Sequence, residues 1–181
     1  VILEDDNIKV SNLILDHSIK CSGFLFEEKI SARKILGSSI KKYNIPFNKI
    51  NGLKDGADWI NPQGDIIPNS ILTTKNTLPH RYAFCSDTRY NEDLVEKIRG
   101  VDLLYHESTF MSDLEERAKV TGHSTALQAA TLANKAVVNK LLLGHYSQRY
   151  KNLEYLLSEA QTKFPNTFLS YAGLIVDFKE I

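Results

Sequence analysis

Tyr82-Ala83-Phe84-Cys85-Ser86-Asp87-Thr88-Arg89 is a short apolar run that stops on a polar Ser-Asp-Thr, and it sets the pattern from which the fold is read. The pattern returns twice. Residues 101–105 run into His106-Glu107-Ser108-Thr109-Phe110, and residues 140–144 run into His145-Tyr146-Ser147-Gln148-Arg149-Tyr150. Between these two lies Gly122-His123-Ser124-Thr125. A short apolar run bounded by polar residues reads as a buried strand, and where the strand stops it delivers a polar side chain to the rim of its sheet. Helical patterns separate the runs. Residues 92–99 turn Leu94, Val95 and Ile98 inward with Gly100 as the stop, and residues 112–119 carry Asp113 and Glu115 near their positive end. Residues 126–138 are opened by Thr125 and Gln128 at capping-box spacing, and residues 153–163 form a last helix. Strands are also expected at 167–171 and 174–178. Strands alternating with helices predict an α/β layered sheet.

Upstream, residues 10–16 alternate towards Leu13 and Leu15 and end in Asp16-His17-Ser18, while 21–26 form an antiparallel partner. The two read as a hairpin with His17 at its mouth. From Glu27 the character changes. Lys29, Arg33, Lys34, Lys41, Lys42, Lys49 and Lys54 crowd a segment in which 31–43 suggests a short amphipathic helix and 65–72 a closing strand. The segment 27–70 reads either as a solvated insertion loop or as a basic arm that grips phosphates. His80, in the loop 76–81, reads as a solvated turn residue, and His106 as either a packing residue or one that backs a site residue.

A chain of 181 residues with 43% hydrophobic and 24% charged residues has the composition of one globular domain, which excludes whole-chain disorder. The 22 basic and 22 acidic residues cancel, so a polyanion site must come from a local cluster. Cys21 and Cys85 sit in strand-like runs, which suits reduced thiols and a cytoplasmic setting. No apolar run reaches membrane-helix length and no leader pattern opens the chain, so no membrane association is expected. The start on Val1-Ile2-Leu3, without Met, suggests a cut from a longer polypeptide.

His17, Asp87, His123 and His145 all end strand-like runs. Imidazoles and a carboxylate released at one sheet edge converge, and mixed His/Asp sets suit zinc. A carboxylate has two oxygens and can bridge two metals, which makes Asp87 the bridging candidate.

Taken together, Leu15-Asp16-His17 with Gly23-Phe24, Ser86-Asp87-Thr88-Arg89, His106-Glu107-Ser108-Thr109-Phe110, His123-Ser124-Thr125 and His145 to Tyr150 resemble the C-terminal portion of the ribonuclease Z family. These are tRNA 3′-processing endonucleases of the metallo-β-lactamase superfamily. The order matches, with 36 residues from Asp87 to His123 and 22 from His123 to His145. The resemblance implies the C-terminal half of an αββα metallo-β-lactamase-like sandwich over residues 1–181, with a small inserted arm at 27–70. It implies zinc, two ions per complete site, with His17 on one, His145 on the other and Asp87 bridging. It implies His123 as general acid oriented by Glu107, and Arg149 and Tyr150 facing a substrate phosphate. Lys29, Arg33, Lys34, Lys41 and Lys42 would form the tRNA-binding arm. The implied substrate is precursor tRNA, cut just after its acceptor end by an enzyme that pairs as a homodimer.

The family's upstream His-x-His-x-Asp-His metal motif is absent from these residues, and the arm lacks its Gly-Pro signature. Ser86 and Ser108 replace a glycine and an alanine. Two rivals remain: another hydrolase of the same fold, acting on small phosphodiesters or β-lactams, and an inactive fragment without catalytic metal.

Overall fold

The structure is a computed structural model that describes residues 1–74 and 78–178. It divides into two compact units, one made of Val1–Glu28 with His80–Ile181 and the other of Lys29–Pro79.

The first unit is built on a seven-stranded sheet: β1 (Leu3–Glu4), β2 (Ile8–Leu15), β3 (Cys21–Glu28), β4 (Arg81–Cys85), β5 (Leu103–Glu107), β6 (Lys140–Gly144) and β7 (Thr167–Leu169). The strands lie side by side in chain order. β1 to β4 pair antiparallel, and β4 to β7 pair parallel. Parallel neighbours need crossovers, and helices supply them: α1 (Leu94–Lys97), α2 (Glu115–Thr121), α3 (Ala126–Lys135) and α4 (Glu154–Gln161). Thr125 and Gln128 form the expected capping box on α3, each side chain taking the other's backbone N–H. Ala126, Ala129, Ala130 and Ala133 are fully buried, since small side chains let this helix lie close on the sheet.

One sheet face carries Leu13, Leu15, Leu25, Ala83, Cys85, Leu104, Leu141 and Leu143 into a core shared with the helices. The alternate residues point the other way. Phe26 stacks on Tyr82 and Phe84 on Tyr105, with ring centroids 5.6 Å and 4.7 Å apart. An aromatic, half-buried second face is what a strand set in the middle of a layered sandwich presents.

The strand ends positioned by this sheet bear the polar clusters. In the parallel part, Cys85 stands beside His106 and Gly144 beside Glu107, so the loops leaving β4, β5 and β6 emerge at one edge. That is where ligands bind in sheets with parallel strands.

The sequence misplaced several boundaries. Residues 174–178 are irregular rather than a strand, because alternation supplies no pairing partner beyond β7, and Ile175 is 90% exposed. The helix expected over 112–119 is a 3-10 turn, Ser112–Leu114, followed by α2.

The second unit also departs from expectation. Lys34–Ile35 pairs with Thr73–Thr74, and Trp59–Ile60 with Ile66–Ile67. The helix expected over 31–43 is confined to Gly37–Lys42. The strand expected over 65–72 stops at Pro68, whose fixed φ caps the helix Asn69–Leu72. Ile45, Leu53, Trp59 and Leu72 form a core of its own, so this is not a solvated loop. No helix among the described residues is long and apolar enough to cross a membrane.

Candidate active site at the strand ends

Asp87 follows β4 and His145 follows β6, and both hold left-handed backbone, with φ of 59° and 53°. Such conformations cost roughly 1–3 kcal/mol each in a non-glycine residue and persist where the surroundings enforce them. The result is that His145 Nε2 faces Asp87 Oδ1 at 3.2 Å.

Beneath them lies Glu107, fully buried at the end of β5. Its Oε1 accepts the Thr88 N–H at 2.6 Å, and its Oε2 accepts the Ser124 N–H at 3.0 Å and the Thr109 hydroxyl at 2.6 Å. His123 Nδ1 stands 3.1 Å from both oxygens. A carboxylate has about four acceptor sites, and here all are taken by protein donors. Ligating atoms of Asp87, Glu107, His123 and His145 lie within 4.8 Å of one another. With its acceptor sites taken, Glu107 holds Thr88, Thr109, His123 and Ser124 in place around it.

The tautomers follow from the partners. Glu107 accepts from His123 Nδ1, so Nε2 is the atom His123 turns to the cleft. His17 Nδ1 lies 2.8 Å from the Gly122 carbonyl, which can only accept, so its Nε2 is likewise free to act. His17 sits outside the four-residue group but beside it, its ring 5.2 Å from that of His123, which is in turn 5.2 Å from His145. Three imidazoles and two carboxylates are thus brought together from five segments.

Two small residues make this possible. Gly122 ends α2 with φ of 85°, and a Cβ there would lie 2.5 Å from His17 Nδ1. Gly144 lies under Tyr105, and a Cβ would come 2.0 Å from its hydroxyl oxygen. The Asp16 loop is tied to the Asp87 loop by Arg89, whose N–H donates to the Asp16 carbonyl at 2.7 Å and whose guanidinium meets the Asp16 carboxylate at 3.0 Å.

The expected phosphate pair has two different surroundings. The Arg149 guanidinium lies 5.0 Å above the Phe110 ring, and that ring meets His123 edge-on. The Tyr150 hydroxyl accepts the Met111 N–H at 2.9 Å and the ring packs on the core, so part of its polar capacity is already used. In the second unit Lys34, Lys41 and Lys42 are exposed and Lys29 is half-buried. Arg33 Nε donates to Thr73 Oγ1 at 2.6 Å, an internal tie that limits its reach.

His80 is half-buried against Phe178 and 3.9 Å from Asp102, not a solvated turn residue. Residues 75–77 of the neighbouring stretch, including Asn76 and Thr77 of the expected loop, lie outside the described residues. His106 is a packing residue, fully buried, its Nδ1–H on the Glu107 carbonyl and burial lowering its pKa. Burial pushes the Cys85 thiol up to about 12, and both cysteines are free.

Thr109, Thr88, Ser124, Gly122 and Gly144 were given no role from sequence. Thr109 had a readable signal, since residues two apart on an extended segment share a face and Thr109 stands two beyond Glu107.

No family model matches the chain. Curated relatives do. The chain is 47% identical over 174 residues to a protein named Ribonuclease Z from Porphyromonas gingivalis, covering 96% of this chain and 57% of that protein. It is 44% identical over 181 residues to one of the same name from Phocaeicola vulgatus, covering all of this chain and 59% of that protein. The chain spans a little over half the length of these relatives. Among solved structures it is similar to a long-form RNase Z from yeast, at TM-score 0.62 and 20% identity, over 97% of this chain and 18% of that one. The metallo-beta-lactamase fold protein YhfI from Bacillus subtilis matches at TM-score 0.62 and 18% identity, over 97% and 52% of the two chains. The sheet with its helices is therefore a metallo-β-lactamase-type layer, and the chain is related in sequence to ribonuclease Z.

Proposed function

We propose that the chain forms one wall of a ribonuclease Z site, part of a zinc-dependent endoribonuclease that removes the 3′ trailer from precursor tRNA. The observation that carries this reading is the buried Glu107 carboxylate holding His123 by Nδ1 beside the facing pair Asp87 and His145.

In this reading Asp87 and His145 hold zinc with His17 nearby, and the donor set fits. His145 Nε2 and Asp87 Oδ1, two groups that bind cations, are turned on each other at 3.2 Å, a spacing that calls for a proton or a cation between them. Zinc bound there supplies Lewis acidity at the phosphodiester. His123 gives a proton from Nε2 to the departing ribose 3′ oxygen, while Glu107 fixes the ring through Nδ1. Arg149, braced on Phe110, and Tyr150 meet the phosphate. The remaining ligands come from residues outside this chain, as its share of its relatives' length suggests.

The arm Lys29–Pro79 contributes Lys29, Arg33, Lys34, Lys41 and Lys42 to the tRNA backbone, with the exposed Lys34, Lys41 and Lys42 the stronger members. The free thiols suit a cytoplasmic setting, and we assign a homodimer in keeping with the resemblance.

The test is to incubate precursor tRNA with zinc and a protein that joins this chain to the residues supplying the remaining ligands, and to map the new 3′ ends. Cleavage just after the acceptor end supports the reading; absence of cleavage, or cleavage of small diesters alone, would overturn it.

A further inference from the structure

We infer that the cavity between α2, the start of α3 and the Arg89–Tyr90 loop is a nucleoside subsite, which takes the base of the nucleotide whose 3′ oxygen departs. The inference deepens the reading of the site given above and rests on it for the choice of that nucleotide.

The cavity has a volume of about 310 Å³, at the lower end of the range of small-molecule sites. It reaches His123, and Asp16, Arg89, Tyr90, Glu115, Lys119 and Gln128 complete its lining. Most of this lining is held in place. Arg89 Nε donates to the Lys119 carbonyl at 2.7 Å, and its Nη1 donates to Asp16 Oδ1 at 3.0 Å. Gln128 Nε2 donates to Glu115 Oε1 at 3.1 Å, while Gln128 Oε1 accepts the Thr125 N–H at 3.0 Å. The Tyr90 hydroxyl donates to Glu92 at 2.9 Å. Groups ordered before a ligand arrives lose little freedom on binding it.

The hydrogen-bonding capacity left over is specific. Among the described residues, Asp16 Oδ2, Glu115 Oε2 and the Lys119 ammonium have no hydrogen-bond partner. Glu115 and Lys119 stand four apart on α2, so an acceptor and a cationic donor are neighbours on one helix face. Arg89 and Tyr90 add planar groups of the kind on which bases stack. The carboxylates call for N–H donors, and the ammonium for a ring nitrogen or a carbonyl oxygen. A base with an exocyclic amine offers both along its edge. A phosphate only accepts, and two carboxylates would repel it here. His123 decides which nucleoside this is. In the reading above its proton goes to a ribose 3′ oxygen, so the nucleoside bearing that oxygen lies beside it.

The probes are the four ribonucleoside 5′-monophosphates, which carry the free 3′ hydroxyl of a cleaved end. They are added to the metal-free chain while its backbone amides are followed by NMR. The adenosine, guanosine and cytidine nucleotides should shift the amides of Tyr90, Lys119 and His123. The uridine nucleotide, which has no exocyclic amine, should bind about tenfold more weakly. Lys119→Met and Glu115→Ala, both at exposed positions, should each weaken binding about tenfold or more. Absent shifts, shifts confined to other residues, uridine bound as tightly as the rest, or variants that bind like the parent would overturn the inference. The readout uses neither zinc nor cleavage. Nucleotides held in the cavity with precursor tRNA left intact would refute the nuclease reading alone, and accurate cleavage with no shifts at the cavity would refute this inference alone.

Discussion

Both carboxylate oxygens of Glu107 stand 3.1 Å from His123 Nδ1, and the same oxygens accept the N–H groups of Thr88 and Ser124. Glutamine at this position has the same shape but only one acceptor oxygen, so its amide N–H₂ must face a donor. Glu107→Gln should therefore lower stability by about 1–3 kcal/mol, the cost of stranding buried polar groups. Urea unfolding checks this, and an unchanged midpoint would show that the carboxylate is not the hub of these bonds.

Gly144 lies against the Tyr105 phenol, where a Cβ would be 2.0 Å from the hydroxyl oxygen. Gly144→Ala should cost roughly 1–3 kcal/mol as an overpacked site, and it should displace the turn that carries His145. Adding Tyr105→Leu removes the clashing atoms and should recover part of the loss. A double variant no more stable than Gly144→Ala would place the strain elsewhere.

His106 is fully buried, and burial lowers its pKa below the ordinary histidine value of 6.5. Below that value the unfolded chain takes up a proton that the folded protein refuses, so stability falls as pH drops from the unfolded pKa towards the lower folded one. The slope for one such group is ~1.4 kcal/mol per pH unit. His106→Asn keeps a donor near the Glu107 carbonyl but does not titrate. The difference between parent and variant stability should be flat above the histidine range and narrow on the acid side. Parallel curves would contradict the burial argument.

Cys85 is fully buried with its thiol pushed up to about 12, whereas Cys21 is half-buried. Thiolate is the reactive form, so a thiol reagent should label Cys21 first in the folded protein, and Cys85 at a comparable rate only in denaturant. Rapid labelling of Cys85 under native conditions would mean that the sheet opens there.

The strand ends were legible because a strand that stops is a local event. Asp87 and His145 were read from apolar runs halting on polar residues, and the α3 capping box from a three-residue spacing. Roles that depend on three-dimensional neighbours were not. Gly122 gives room to His17, which is 105 positions away in the chain, and no local pattern announces it. Ile45, Leu53, Trp59 and Leu72 follow neither helical nor strand period, so no core is legible in the basic segment, and a solvated loop and a phosphate-gripping arm are both open readings of it. Residues 174–178 show the reverse error, where an apolar pattern suggested a strand for which the sheet offers no partner.

We propose that the buried Glu107 carboxylate holds His123 as the proton donor beside a zinc site acting on precursor tRNA. Its most direct test is the single-turnover rate of precursor-tRNA cleavage by the parent and by His123→Ala, compared at equal bound zinc. The expected outcome is unchanged zinc content and a rate lowered by about 10²–10⁴-fold, the range of a lost general acid. Equal rates at equal zinc would contradict it.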